Sequence, residues 1–266
     1  MIDLDFNYKK DIVYKTVNGH DLCIDFLVPN GSEIPVPCVV WFHGGGWKEG
    51  KKTDIGEFPF LPMDLLSKDI CIASAEYRLT GKNGGGFSQS VSDAKDAIEF
   101  VKSLPFVSCN GIFTGGISAG AYMALETAMM CETLDIKGVL SFSGITFVRG
   151  NDPEFVGIEV PSLTRGFIRD FIDASEEYPD ERVNPSFLLF GARKDIRFFL
   201  VHGDCDECVN VRSADMFVNR AKDLGFYIEY VRIHNSNHTF STVNGALYPP
   251  LRDIMKKAAE FVKKFS

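Results

Sequence analysis

The chain reads as an α/β fold built on a mostly parallel sheet, and three observations point there. Strand-like and helix-like stretches alternate along its 266 residues, the pattern of repeated strand–helix–strand units. The central strand candidates are apolar throughout rather than alternating, as expected of strands covered on both faces. The first two strand candidates are joined by Asn18-Gly19, a dipeptide that favours a tight antiparallel hairpin. The expected architecture is an eight-stranded sheet that opens with an antiparallel hairpin, continues parallel and carries helices on both faces.

The elements follow in order. Residues 12–17 and 21–28 form the hairpin. Residues 38–42, 70–76 and 111–114 are the next strands, free of charge apart from terminal Glu76. Residues 138–142, 197–202 and 227–233 complete the eight. Helices are expected over 61–68, 90–103, 119–131, 211–224 and 251–264. In the second, Val91, Ala94, Ala97, Ile98 and Val101 fall on one face at helical spacing. The stretch 145–184 breaks the rhythm, being rich in charge and aromatics and too long for an ordinary connection. It is expected to hold a helix over 163–174, either as a lid over the sheet's C-terminal edge or as an outer covering helix. The whole is read as one domain over 1–266, with 145–184 as its insertion.

Composition narrows the function. Hydrophobic residues make up 45% of the chain and aromatics 12%, enough for a sizeable core. The formal net charge is −8, and scattered basic residues argue against a nucleic-acid partner. A Lys/Arg cluster in the last helix reads as a solvated face. No apolar run reaches the length of a membrane span, and the N-terminal residues lack the apolar region of a signal peptide. The seven cysteines suit reduced thiols, so a cytoplasmic location is expected.

The segment FTGGISAG, residues 113–120, holds a Gly-x-Ser-x-Gly motif around Ser118. Such a motif also occurs in ordinary turns. Here a strand candidate precedes it and a run of good helix formers follows it, which is the setting of a strained strand–turn–helix elbow that exposes a nucleophilic serine. A serine nucleophile needs a base, an orienting acid and donors for the oxyanion. His43-Gly44-Gly45-Gly46-Trp47 follows an apolar strand, and successive glycines let backbone N–H groups turn into a cavity. Gly45 and Gly46 are the preferred donors, together with the amide of Ala119 after the nucleophile. Trp47 either lines the site as a substrate-binding residue at its entrance or packs under the glycine loop.

Five histidines compete for the base: His20, His43, His202, His234 and His238. His20 lies too early, His43 is expected to brace the glycine loop, and His202 ends an apolar strand. His238, in the loop after the last strand, is preferred over His234. Asp204, Asp206 and Glu207 follow the penultimate strand. Asp206 is chosen as the acid, with Asp204 as a cap of the loop; Asp195 precedes the strand and lies on the wrong edge.

The set HGGGW, Tyr77-Arg78-Leu79, GISAG, HGDCD and NHTF, in this order, resembles the α/β-hydrolase superfamily. Within it, the chain is similar to the HGGG-bearing, hormone-sensitive-lipase-like branch of esterases and lipases, from about Val13 to the last helix. The resemblance implies a triad of Ser118, Asp206 and His238, a structural pair of Arg78 and Asp93, and no cofactor or metal. Relatives of this kind sometimes form a homodimer through an edge strand or the last helix, and the resemblance leaves the oligomeric state open. The chain departs from the branch in three ways. Ala121 replaces a second glycine after the elbow, the stretch 80–90 is glycine-rich instead of proline-rich and is expected to border the site, and there is no room for an N-terminal helical cap. Small or exposed acyl groups are therefore expected rather than long lipids.

Cys205 and Cys208 flank the proposed acid. As a zinc half-site this pair lacks its second half; as a redox pair it would reshape the acid loop; two unrelated thiols are the default. The expected activity is hydrolysis of a small-molecule carboxylic ester. Its rivals are an arylformamidase or acyl-peptide amide hydrolase, an acetyl or feruloyl carbohydrate esterase, and a non-catalytic binding module.

Overall fold

Asn18 and Gly19 both take positive φ, +51° and +79°, which a two-residue type I′ hairpin requires. They join β1 (Phe6–Val17) to β2 (His20–Pro29), whose pairing closes at Val17 and His20. The computed structural model describes residues 6–58, 60–148, 155, 157–172 and 180–266. Beyond the hairpin lie β3 (Val36–Phe42), β4 (Cys71–Ala75), β5 (Val107–Ile117), β6 (Gly138–Phe142), β7 (Arg197–Gly203) and β8 (Tyr227–Ile233). They form one sheet of order β1-β2-β4-β3-β5-β6-β7-β8. β2 pairs antiparallel with both neighbours, and every pairing from β4 to β8 is parallel.

The expected strands are all present. β1 starts at Phe6 rather than at residue 12, because its polar first half is an exposed sheet edge with no apolar alternation to announce it. β5 starts at Val107, four residues ahead of its apolar run, for the same reason: Cys109 and Asn110 are exposed.

The middle of the sheet shows why its strands read as continuous apolar runs. Side chains alternate between faces, and both faces are covered. On β3, Cys38, Val40 and Phe42 join one core. That core is capped by α2 (Phe87–Lys102), α3 (Ala119–Met130), α4 (Ser162–Ile172) and α7 (Val211–Asp223). Val39 and Trp41 join the other, under α1 (Leu61–Leu66) and α8 (Leu251–Phe265). The predicted face of α2, from Val91 to Val101, is buried. On α8, Ile254, Met255, Ala258, Ala259 and Val262 face inward while Lys256, Lys257, Lys263 and Lys264 are exposed, so the basic cluster is a solvated face.

The stretch 145–184 contributes α4 and the one-turn α5 (Asp180–Val183), with α6 (Pro185–Leu188) directly after it. The expected end of the first of these helices, at residue 174, lies outside the described residues, as do 149–154. Arg78 and Asp93 form a bidentate ion pair, with Nε at 2.7 Å and Nη2 at 2.9 Å from the two carboxylate oxygens. Asp93 is fully buried there, so this pair ties the segment after β4 to α2. No helix is long and apolar enough to cross a membrane among the described residues.

Candidate active site

Parallel strands place their C-terminal ends on one edge, and the loops there are where open α/β sheets hold their ligands. β3 delivers the glycine loop, β5 the elbow, β7 the acid loop and β8 the histidine loop. Ser118 is the residue before α3 and sits at φ +55°, ψ −121°. A non-glycine residue persists at such angles only where its surroundings impose them. Here the imposition comes from close packing of strand, helix and glycine loop. A Cβ on Gly120 would lie 2.0 Å from the carbonyl oxygen of Phe42, and one on Gly116 would lie 2.4 Å from the carbonyl carbon of Gly120. Only glycines two before and two after the serine allow this crossing. The Ser118 amide is held by the Phe142 carbonyl at 2.9 Å. Ala119 is the first residue of α3, so its N–H has no intrahelical acceptor.

The glycine loop runs at positive φ through Gly45 (+105°), Gly46 (+59°) and Trp47 (+59°). His43 braces it from below. Its ring is buried, stacks on Tyr77 at 4.5 Å, and places Nδ1 2.7 Å from the Gly44 carbonyl. The Tyr77 hydroxyl donates to the His43 carbonyl at 2.8 Å. Burial pushes the His43 imidazole below its usual pKa, in keeping with a bracing rather than a titrating role.

Trp47 does not sit at the entrance. It is fully buried, stacked on Phe171 of α4 at 4.4 Å and edge-on to Tyr122 at 5.2 Å. It lies under the loop and is also among the residues that line the cleft. The glycine-rich stretch 80–90 is also absent from the residues that line the cleft. It lies behind the loop instead, where the Thr80 N–H donates to the Trp47 carbonyl.

The acid and histidine loops meet at Asp206 and His238, with His238 Nδ1 2.8 Å from Asp206 Oδ2. The side chain of Asp206 is buried, and its other oxygen accepts the N–H groups of Cys208 and Val209, each at 2.8 Å. A further partner was not foreseen. His202, buried at the end of β7, places Nε2 3.0 Å from Asp206 Oδ2. Burial alone would raise the Asp206 carboxyl, but the hydrogen bonds from His202 and His238 outweigh it and hold the pKa well below the usual carboxylate range. His238 is anchored through its own carbonyl, which accepts the Ser143 hydroxyl at 2.9 Å.

The competing candidates fall elsewhere. His234 bonds Asp204 at 2.9 Å on the surface, and Asp204 also accepts the Asn235 N–H, capping the loop. Cys205 is exposed and bonds Asp204, whereas Cys208 is half-buried and lines the cleft, so the two thiols occupy different settings. Cys208, Asp206 and His238 bring ligating atoms within 4.8 Å of one another. The Asp206 oxygens already accept protein donors, however, so the carboxylate is committed to its hydrogen bonds rather than open to a metal.

Ser118, the three loop glycines and His238 line one cleft of about 580 Å³. α4 closes it on one side with Leu163, Thr164 and Phe167. One turn of this helix grips three consecutive loop residues: Phe167 lies on Gly46, Phe171 on Trp47, and Asp170 bonds Lys48. One turn earlier on the same helix the Thr164 hydroxyl donates to the Cys208 carbonyl at 2.5 Å. The excursion helix is thus both a core-covering helix and a wall of the cleft. Its signal in the sequence was the length and aromatic content of the stretch 145–184; its contacts were beyond reach because they join segments far apart in the chain.

A family model described as BD-FAE matches residues 24–221, most of the chain. The chain belongs to the BD-FAE family. Its structure is similar to the apo form of Thermogutta terrifontis esterase 2, with a TM-score of 0.77 at 20% identity over 99% of this chain and 95% of that one. This likeness identifies the BD-FAE chain's architecture as the α/β-hydrolase fold, matching the expected eight-stranded sheet. In sequence it is similar to the probable carboxylesterase M8 of a Phoma species, 23% identical across 80% of this chain and 83% of the relative. A shorter stretch, 51% of the chain, is 30% identical to kynurenine formamidase of Danio rerio. The chain spans less than half the length of the kynurenine formamidases it matches, 45% in Danio rerio and 41% in Salmo salar.

Proposed function

We propose that the protein is a serine hydrolase of small carboxylic esters. The observation that carries this is the meeting, in one cleft, of a strained serine at a helix N-terminus with a histidine held by a buried carboxylate. In this reading Ser118 attacks the ester carbonyl and His238 accepts its proton. With Nδ1 donating to Asp206, Nε2 is the imidazole atom left to do so. Asp206 holds the tautomer and offsets the imidazolium charge. The amides of Gly45, Gly46 and Ala119 receive the oxyanion. The proton on His238 passes to the leaving alcohol, and water then releases the acid from the acyl-enzyme. None of these steps calls for a metal or organic cofactor.

The reading takes short acyl groups as the substrates, with Phe167 against Gly46 and with Leu163 and Ile145 as apolar lining of the cleft that holds Ser118. Thermogutta terrifontis esterase 2, which shares the fold, is known with propionate and with butyrate bound. In this reading α4 walls the site, with Leu163, Thr164 and Phe167 along the cleft. A reducing, cytoplasmic setting is part of this reading, since seven cysteines, an odd number, suit reduced thiols.

Hydrolysis of p-nitrophenyl esters from acetate to a long acyl chain, beside Ser118→Ala, tests the reading. Turnover of the short esters that vanishes in the variant is expected. The formamidase relatives favour a second reading, cleavage of an aryl formamide by the same triad. An N-formyl anilide assayed in parallel decides between them: faster turnover of the amide would displace the ester reading.

A further inference from the structure

His202 reads in sequence as the end of an apolar strand, yet its ring reaches the residue on which the triad depends. Its Nε2 lies 3.0 Å from Asp206 Oδ2 and 3.1 Å from the Val209 carbonyl oxygen. Both neighbours are acceptors only, one an anionic carboxylate. A bare ring nitrogen there would face two oxygen lone pairs in a buried site. Nε2 must therefore carry the hydrogen, bonded to the Val209 carbonyl and set beside the anionic Asp206 Oδ2. The same Oδ2 accepts Nδ1–H of His238 at 2.8 Å. Oδ1 is filled by the Cys208 and Val209 amides. His202 thus closes a ring of donors that leaves the Asp206 carboxylate a single orientation, aimed at His238.

Building on the triad reading above, we propose that His202 is a positioning residue for the reaction, a second imidazole donor that fixes the Asp206 carboxylate for His238. Two consequences follow. The carboxylate cannot rotate to offer His238 a poorer angle. Its charge is also divided between two imidazole donors, so the His238 imidazolium feels less than the full anion and gives up its proton more readily to the leaving group. The other titratable groups near His238 are Glu207, whose carboxylate accepts the His238 amide at 3.4 Å, Cys208, and Asp54 and Glu49 in the same cleft. None of them contacts His202 Nε2 among the described residues.

The test compares His202→Phe, which keeps bulk but removes the donor, with His202→Gln, whose Nε2 amide can reach the same oxygen. In His202→Phe, kcat on a short p-nitrophenyl ester is expected to fall about 10- to 100-fold with KM little changed, the usual range for a partner that orients a functional ligand. The acid limb of kcat/KM, which reports the base in the free enzyme, should move to higher pH as the whole carboxylate charge turns to His238. His202→Gln should restore both. A His202→Phe enzyme with unaltered kcat and acid limb would overturn the proposal, as would a His202→Gln enzyme no better than His202→Phe. Nitrogen-15 NMR of histidine-labelled wild type needs no variant to fold: His202 Nε2 should read as protonated from pH 5 to 9, and a bare Nε2 would likewise overturn it. Ser118→Ala separates this proposal from the one beneath it. If that variant keeps its activity, the triad reading fails and the role of His202 fails with it; if it is inactive, the His202 results speak for His202 alone.

Discussion

Two aspartate–histidine pairs join the loop after β7 to the loop after β8. Asp204 and His234 meet at 2.9 Å; Asp206 and His238 meet at 2.8 Å. By distance they are the same interaction. They differ in what surrounds them. The side chain of His234 is 60% exposed and that of His238 11%. The Asp206 side chain is fully buried with donors on both oxygens, whereas Asp204 caps a surface turn. An exposed pair is screened by water and contributes at most about 1 kcal/mol. A buried carboxylate has no water to turn to, so its orientation and charge are set by the protein. Of the two histidines, His238 lines the cleft that holds Ser118. In the proposed mechanism, pairing alone would therefore not make a base; burial, saturation of the acid and a place beside Ser118 would.

The comparison breaks most sharply at the histidines. His238→Ala should lower kcat on short esters by about 10⁵- to 10⁶-fold, as loss of a triad base does, while His234→Ala should stay within about twofold, the range of a surface change. A large loss in His234→Ala would transfer the role of base to the exposed pair. The acids come next. Asp206→Asn keeps the shape but reverses the tautomer preference of His238, and should lower kcat about 10⁴-fold. Asp204→Asn should leave kcat close to wild type, and steady-state kinetics on one ester reads both.

Much of this was legible in the sequence because it is local. The elbow is a spacing of glycines around a serine, and the loop order after β3, β5, β7 and β8 follows from alternation along the chain. What was not legible is long-range. Residue types alone could not show whether Trp47 faces solvent or the core, because the ring it stacks on, Phe171, arrives from a distant helix. His202 ends an apolar strand and reads like a core histidine; its acceptors appear only when the acid loop folds back over β7. The preference for Asp206 over Asp204 came from position in the loop, whereas burial separates the two in space.

Acid stability sharpens the comparison further. A carboxyl whose folded pKa lies below its unfolded value, about 3.9, stabilises the fold above that pH. The contribution is lost as pH falls toward the folded pKa. Asp206 is such a group, with its burial outweighed by the two histidine donors. Wild type should therefore lose stability between pH 5 and pH 3, and Asp206→Asn should show a loss smaller by about 1 kcal/mol. Asp204 is shifted in the same direction, but its exposure screens the effect. Asp204→Asn should flatten the slope less. Urea midpoints at the two pH values measure both slopes; equal flattening would mean that burial does not separate the pairs.

The smallest effect concerns how the buried pair is held from outside its own loops. Thr164 of α4 donates its hydroxyl to the Cys208 carbonyl, and the Cys208 amide in turn donates to Asp206 Oδ1. One peptide segment thus links the helix that walls the cleft to the carboxylate that orients His238. Thr164 is buried, so Thr164→Val removes the bond with little change of shape and leaves a carbonyl without its partner, which should cost about 1–2 kcal/mol of stability. If α4 positions the acid loop, kcat should also fall a few-fold, because small displacements of an oriented group slow the chemistry. A drop in the urea midpoint with kcat unchanged would confine α4 to packing. It would also show that the internal donors of Asp206, the Cys208 and Val209 amides and His202, suffice to hold the buried pair.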